Sequence, residues 1–254
     1  MSALLEVRDV SRRFGGVQAL DGVSLDVAEG SVVGLIGPNG AGKTTLFNVI
    51  SGLCAADSGT VTFDGRDITR MPAHQRAALG IARSFQNLGL MTDETVRTNI
   101  LVALHGAAPY RPVDIALRPP RYRRGEHELH ARCDAVLERF DLVEEADVRV
   151  GELSFAKARF VELAAAAVRE PRFMLLDEPT TGLDVGEVSR LDAALAALQA
   201  SGMTVLVVAH DVRFVMRLCN DVYVLAEGRL LAHGDPAVVQ ADPHVVEAYL
   251  GRTA

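Results

Sequence analysis

The chain has 254 residues, enough for one domain with a full core, and its formal charge of -7 argues against a broad basic surface for nucleic acid. Alanine inflates the hydrophobic share of 49%, and no apolar run approaches the roughly 18–20 residues that a membrane helix needs. No basic segment followed by an apolar stretch opens the chain, and Cys54, Cys133 and Cys219 lack metal spacing, so buried thiols in a reducing compartment are expected.

In chain order, residues 4–10 and 32–36 read as strands, the second being a buried apolar run. Directly after it come Gly37, Pro38, Asn39, Gly40, Ala41, Gly42, Lys43 and Thr44, which fit the phosphate-loop spacing of glycine, four residues, glycine, lysine and serine or threonine. Residues 45–50 read as a helix whose N-terminus points at that loop. Glycines let the backbone turn N–H groups inward, and the helix start adds partial positive charge, so the loop suits phosphate oxygens. Lys43 is expected to reach the terminal phosphates and Thr44 to coordinate Mg²⁺. Of 26 basic residues only Lys43 and Lys157 are lysines, so a compact ammonium has been kept where a planar guanidinium would not substitute. The chain is expected to bind a nucleotide.

Residues 60–63, between glycines, suggest an antiparallel edge. From about residue 88 to 151 strand signals are scarce. Helices are expected over 95–104 and 126–140, the second with Leu129, Cys133, Val136, Leu137 and Phe140 on one face. Between them, residues 118–124 carry Arg118, Arg121, Arg123 and Arg124 with two prolines, and read as a solvated loop, the alternative being a surface for lipid headgroups or a partner's acidic face. Residues 155–169 and 185–200 read as helices, and 173–176, 204–208 and 222–225 as strands. Alternation of helices with near-continuous apolar strands implies an α/β core with parallel strands.

The strand at 173–176 runs into Asp177 and Glu178. An acid at the end of an adjacent strand positions Mg²⁺ in phosphate-loop proteins, and the next acid polarises the attacking water, so Asp177 is the metal-side candidate and Glu178 the catalytic one. His210 follows the strand at 204–208 and suits a hydrogen bond to the terminal phosphate and the water. Gln86, after residues 81–85, suits an amide oxygen near the metal. A GTPase is disfavoured because the Asn-Lys-x-Asp guanine-reading motif is absent, and His127-Glu128-Leu129-His130 has the wrong spacing for a two-histidine zinc helix.

Together these residues resemble the ATP-binding cassette ATPases of the ABC transporter superfamily over almost the whole chain. Phe14 falls where that family stacks an aromatic on adenine. Gly37 to Thr45 match its phosphate loop, Gln86 its glutamine loop, Asp177-Glu178-Pro179 its acidic strand end, Gly182-Leu183-Asp184 its dimer loop, and His210-Asp211 its histidine switch. The resemblance implies a single ABC ATPase domain over 1–254, with a RecA-like phosphate-loop NTPase core (about 1–87 and 155–254), an antiparallel β edge and an inserted α-helical subdomain (about 88–154). It implies ATP and Mg²⁺, with Thr44, Gln86 and Asp177 at the metal, and Ser154 reaching the partner's ATP in a head-to-tail dimer. It further implies transmembrane permease subunits, an extracytoplasmic substrate-binding protein acting indirectly, no nucleic acid, and a peripheral position on the cytoplasmic face of the membrane.

Arg13-Phe14-Gly15-Gly16, residues 81–86, the insertion before Glu126 and the ending Val246-Glu247-Ala248-Tyr249-Leu250-Gly251 look most like branched-chain amino acid importers. Urea or amide importers and lipopolysaccharide exporters are close alternatives. The signature departs from the family: Leu153-Ser154-Phe155-Ala156-Lys157 stands where leucine, serine, an aromatic or glycine, glycine and glutamine are usual. Ala156 adds a methyl where a backbone approaches phosphate, and Lys157 places a charge where an amide is usual, a charge that partly offsets the lost contact. A heterodimer with a distinct second ATPase is therefore expected over a homodimer, with a poorly hydrolysing regulatory subunit as the alternative.

Overall fold

The computed structural model describes residues 3–84, 89–105, 114, 119–209 and 211–250. It divides into two compact units.

The first comprises Met1–Arg83, Arg172–Thr181 and Leu195–Ala254. Here β1 (Ala3–Phe14), β2 (Val17–Ala28), β4 (Ser58–Phe63) and β5 (Arg66–Asp67) form a four-stranded sheet in the order β2-β1-β4-β5, every pair antiparallel. The antiparallel residues 60–63 thus lie within a sheet of their own, bordered by the two-residue β5. A second sheet of six strands runs β10 (Arg229–Gly234), β9 (Asp221–Ala226), β3 (Val32–Ile36), β8 (Thr204–Val208), β7 (Phe173–Asp177) and β6 (Ile81–Arg83). All of its pairs are parallel except β10 on β9. Every residue of β3, β7 and β8 is buried, as a parallel sheet covered on both faces requires.

One expectation is corrected here. The acid-bearing β7 is not adjacent to β3; β8 lies between them. Because the three strands are parallel, their C-terminal ends still meet at one edge of the sheet, where ligands bind in open α/β folds.

Helix α1 (Lys43–Ser51) buries Leu46, Phe47 and Ile50 against Val33 and Leu35 of β3, Leu206 and Val208 of β8, and Leu5 and Val7 of β1 in one cluster. Its far end is closed by a buried cation. Arg76, on α2 (Ala73–Ala78), is 2% exposed and donates to the carbonyls of Val49 (2.7 Å), Ile50 (2.8 Å), Met71 (2.8 Å) and Thr69 (3.0 Å). A guanidinium on the last carbonyls of a helix satisfies acceptors that have no intrahelical donor and suits the negative end of the dipole.

The second unit comprises Ser84–Pro171 and Gly182–Ala194. Its helices are α3 (Val96–His105), α4 (Pro120–Arg139), α5 (Phe155–Ala167) and the first part of α6 (Val185–Ala200). Leu129, Cys133, Val136, Leu137 and Phe140 are all buried, as the 3.6-residue spacing predicts. The proline-rich stretch is not a loop throughout. Helix α4 already begins at Pro120, with Pro119 as its N-cap and Arg121, Arg123 and Arg124 in the first turns. A proline at the first helical position forfeits no hydrogen bond, because that N–H has no intrahelical acceptor. Arg121 pairs with the buried Asp114, while Arg118 lies outside the described residues.

The remaining helices, α7 (Val212–Leu218), α8 (Pro236–Ala241) and α9 (Pro243–Leu250), belong to the first unit. Among the described residues no helix is long and apolar enough to cross a membrane. Burial pushes the Cys133 thiol up to about 11 and the Cys219 thiol up to about 12, so both stay protonated; Cys54 is only half-buried.

Candidate functional site

Residues 37–42 link β3 to α1, and two glycines fix their path. At Gly37 (φ 153°) an added Cβ would stand 2.1 Å from the Leu225 carbonyl oxygen, and at Gly42 (φ 103°) 2.4 Å from that of Ala19. Backbone atoms cannot give way as side-chain ends do, so both positions require glycine. The loop is pinned from behind by Gly228, whose N–H donates to the Ala41 carbonyl at 3.0 Å. Gly42 serves as N-cap and has no side chain to cap with. Among the described residues no acceptor stands opposite the N–H groups of Lys43, Thr44 and Thr45. A helix start of this kind favours an anion.

Lys43 is 6% exposed, and its ammonium donates to the carbonyls of Gly37 (2.7 Å) and Pro38 (3.0 Å). Burial lowers its pKa below the usual 10.5, while the negative charges of Glu178 and Asp177 act the other way. The loop lysine and the two acids therefore share one electrostatic neighbourhood.

Asp177 ends β7 and is 1% exposed, with Arg83 Nη2 3.0 Å from its Oδ2. Glu178 is half-buried and has φ 50°, left-handed backbone unusual outside glycine. Its N–H donates to the Val208 carbonyl of β8 at 2.8 Å, and its Oε2 lies 3.4 Å from the Thr181 hydroxyl. Phe14 ends β1 and is 48% exposed. The Arg12 guanidinium lies 4.7 Å from its ring centroid and is itself held by Asp57 at 2.7 Å. The Arg13 N–H, then Arg12, keep the Asp57 carboxyl below its usual range. The hairpin that carries Phe14 also supplies Ala19 behind Gly42, so ring and loop share one support. Gln86 and His210 lie outside the described residues; the strands before them end at Arg83 and Val208.

In the second unit, Ser154 is exposed and caps α5, its hydroxyl oxygen accepting the Lys157 N–H at 3.2 Å, which leaves the hydroxyl proton to donate elsewhere. Ala156 is buried, and the Lys157 ammonium pairs with Glu145. In the lone chain the Lys157 charge is thus held by a carboxylate of the same unit. Phe155 packs on Gly182, which has φ 79°; a Cβ added there would stand 2.7 Å from Cε1 of the exposed ring and would have to displace it. Asp184 and Glu187 form a reciprocal capping box, each carboxylate accepting the other's N–H at 2.8 Å.

Sequence reasoning missed Arg83, Ala19, Leu225 and Gly228. Only Arg83 left a local signal, a cation at the end of a short strand three residues before Gln86.

Comparison with known proteins bears on what this arrangement does. The ABC transporter family profile matches residues 20–181, and a branched-chain amino acid ATP-binding cassette transporter profile matches residues 229–254. The chain is 38% identical, over 98% of both sequences, to the high-affinity branched-chain amino acid transport ATP-binding proteins LivG of Salmonella typhimurium and BraF of Pseudomonas aeruginosa. It is 35% identical to the lipopolysaccharide export system ATP-binding protein LptB of Acidithiobacillus ferridurans, over 99% of this chain and 98% of that one. Among solved structures it is similar to the ADP conformation of MJ1267, an ATP-binding cassette of an ABC transporter, with a TM-score of 0.86 and 31% identity over 99% of this chain and all of that one.

Proposed function

We propose, from the premise that this chain belongs to the ABC transporter family as an ATP-binding and ATP-hydrolysing subunit, that it powers import of branched-chain or related amino acids. ATP-binding subunits of this family work with transmembrane permease components. The observation that carries the ATPase site is the buried Lys43 ammonium, held by the loop carbonyls beside helix N–H groups that face no described acceptor. The match of residues 229–254 favours the importer reading over lipopolysaccharide export.

In this reading Gly37, Pro38, Asn39, Gly40, Ala41, Gly42, Lys43, Thr44 and Thr45 bind the phosphates through backbone N–H groups, ammonium and hydroxyl, while Phe14 stacks on adenine. Glu178 takes a proton from water as its oxygen attacks the γ-phosphorus; the bond to the bridging oxygen breaks, giving ADP and phosphate. His210 holds the water and the terminal phosphate, and Gln86 would place an amide oxygen near the metal. Magnesium, when bound, neutralises charge on the phosphate oxygens. The donor set fits it: the Thr44 hydroxyl, the Gln86 amide oxygen and the Asp177 carboxylate would supply hard oxygens of the kind that Mg²⁺ takes beside phosphates. The described residues hold no cluster of three or more His, Cys, Asp or Glu that would bind a metal without them.

Ser154 donates its hydroxyl to ATP held by a second, distinct ATPase, the two chains lying head to tail. The subunit sits peripherally at the cytoplasmic face of the membrane on its permeases, with an extracytoplasmic substrate-binding protein delivering cargo and no nucleic acid involved. The assignment is tested by titration calorimetry and phosphate release. Wild type binds ATP with magnesium, Lys43→Ala loses that binding, and Glu178→Gln keeps it while turnover falls by about 10²-fold or more. Unchanged turnover in Glu178→Gln removes it as the base. Copurification from solubilised membranes tests the partners: permeases of another transporter class would reject the amino acid assignment.

A further inference from the structure

The ATPase reading gives Arg83 no part, yet its contacts are those of a residue that positions the site. Its guanidinium lies at the end of β6, the edge strand of the six-stranded sheet, with its side chain 9% exposed. One nitrogen, Nη1, donates to Asn48 Oδ1 at 2.6 Å and to Ser51 Oγ at 3.1 Å, both on α1. The other, Nη2, donates to Asp177 Oδ2 at 3.0 Å. The group also lies 5.8 Å from the ring centroid of Phe47, again on α1. A single planar cation thus joins the helix that begins at the phosphate loop to the carboxylate assigned to the metal.

We propose that Arg83 is a positioning residue for the magnesium-bearing carboxylate: it fixes the plane of the Asp177 carboxylate relative to α1, and through α1 relative to Lys43 and Thr44. Asp177 reaches β7's end from a different strand than the loop does, with β8 between, so strand pairing alone fixes its backbone and leaves its carboxylate torsion open. Bonding one oxygen to a group that is itself anchored twice on α1 restrains that torsion. The fork geometry matters as much as the charge, because a lysine ammonium at the same place is a point charge on a flexible stem and lacks the rigid pair of nitrogens. Partners that orient a metal ligand typically contribute roughly 10–100-fold to metal affinity.

The inference rests on the ATPase reading, and the experiment separates the two. ATP affinity of the full chain is measured by calorimetry with EDTA and again with saturating Mg²⁺; the ratio of the two is the magnesium increment. In wild type, failure to bind ATP under either condition would reject the ATPase reading itself. With that reading intact, Arg83→Met is expected to keep its metal-free affinity within about twofold and to lose about tenfold of the increment. Arg83→Lys, which keeps the charge and so guards against misfolding around a buried carboxylate, is expected to lose most of the same increment. Asn48→Ala, which removes one anchor of Arg83 without touching Asp177, is expected to lose less of it in the same direction. A residue that served only the fold would lower the melting temperature and leave the increment alone. An increment equal to wild type in both Arg83→Lys and Asn48→Ala overturns the proposal.

Discussion

Lys43 and Glu178 each hold a conformation or charge state that the fold alone does not favour. Burial disfavours the Lys43 ammonium, so the folded chain binds that proton less tightly than the unfolded one. Stability therefore rises with pH through the window just below 10.5, where the unfolded chain still holds the proton and the folded chain begins to release it. A polyphosphate beside the ammonium acts in the opposite sense and restores the proton. ATP binding is thus expected to take up protons increasingly as the pH rises toward 10.5, read by calorimetry in buffers of different ionisation enthalpy. Proton uptake that does not grow as the pH approaches 10.5 would show that Lys43 does not face the phosphates. Glu178 carries a different cost: its φ of 50° suits glycine better than any residue with a Cβ. Glu178→Gly is expected to be about 1 kcal/mol more stable than Glu178→Ala, although glycine loses more entropy on folding, with hydrolysis impaired in both. An alanine variant as stable as the glycine variant in denaturant titration would mean that the backbone there is not strained.

At the scale of elements, the sequence is legible where one physical signal dominates. Residues 32–36, 173–176 and 205–208 are apolar without interruption because both faces of their sheet are covered, and all three lie in strands within a residue of their expected ends. Helix α6 spans 185–200 as its spacing predicts. Signals failed where they competed. Strand β2 passes through Gly22 with polar residues at irregular places, and β6 has only three residues, too few for any period. At α4 two adjacent prolines read as a break, although proline is favoured at the first helical position; the missing information was which residue came first. The loop's glycines announce a phosphate site by spacing. What makes them obligatory, the carbonyls of Leu225 and Ala19, comes from segments far away in the chain and leaves no local trace. The Arg83 contacts with Asn48 and Asp177 are hidden for the same reason.

For the molecule as a whole, the chain's own phosphate loop and acids match the family pattern, whereas its signature does not. In a head-to-tail dimer each loop is completed by the other subunit's signature, so a homodimer would place two altered signatures over two well-formed loops. A distinct partner would complete this chain's loop with an unaltered signature and leave only the opposite site compromised. Ala156 is buried at the start of α5 and Lys157 pairs with Glu145 there, so both altered residues are held by their own unit. The isolated chain is therefore expected to hydrolyse ATP slowly and to gain about 10²-fold or more when its partner subunit is added, the order of a lost transition-state donor. Ala156→Gly combined with Lys157→Gln should raise the rate of the isolated chain toward that of the pair. Glu145→Gln alone is the control: it breaks the ion pair, worth no more than about 1 kcal/mol at partly exposed positions, while keeping both signature residues. If Glu145→Gln raises the rate as much as the signature repair, the tether rather than the methyl sets the deficit. If the unaltered chain alone already turns over at the rate of the mixture, two copies of it suffice and the case for a distinct partner falls.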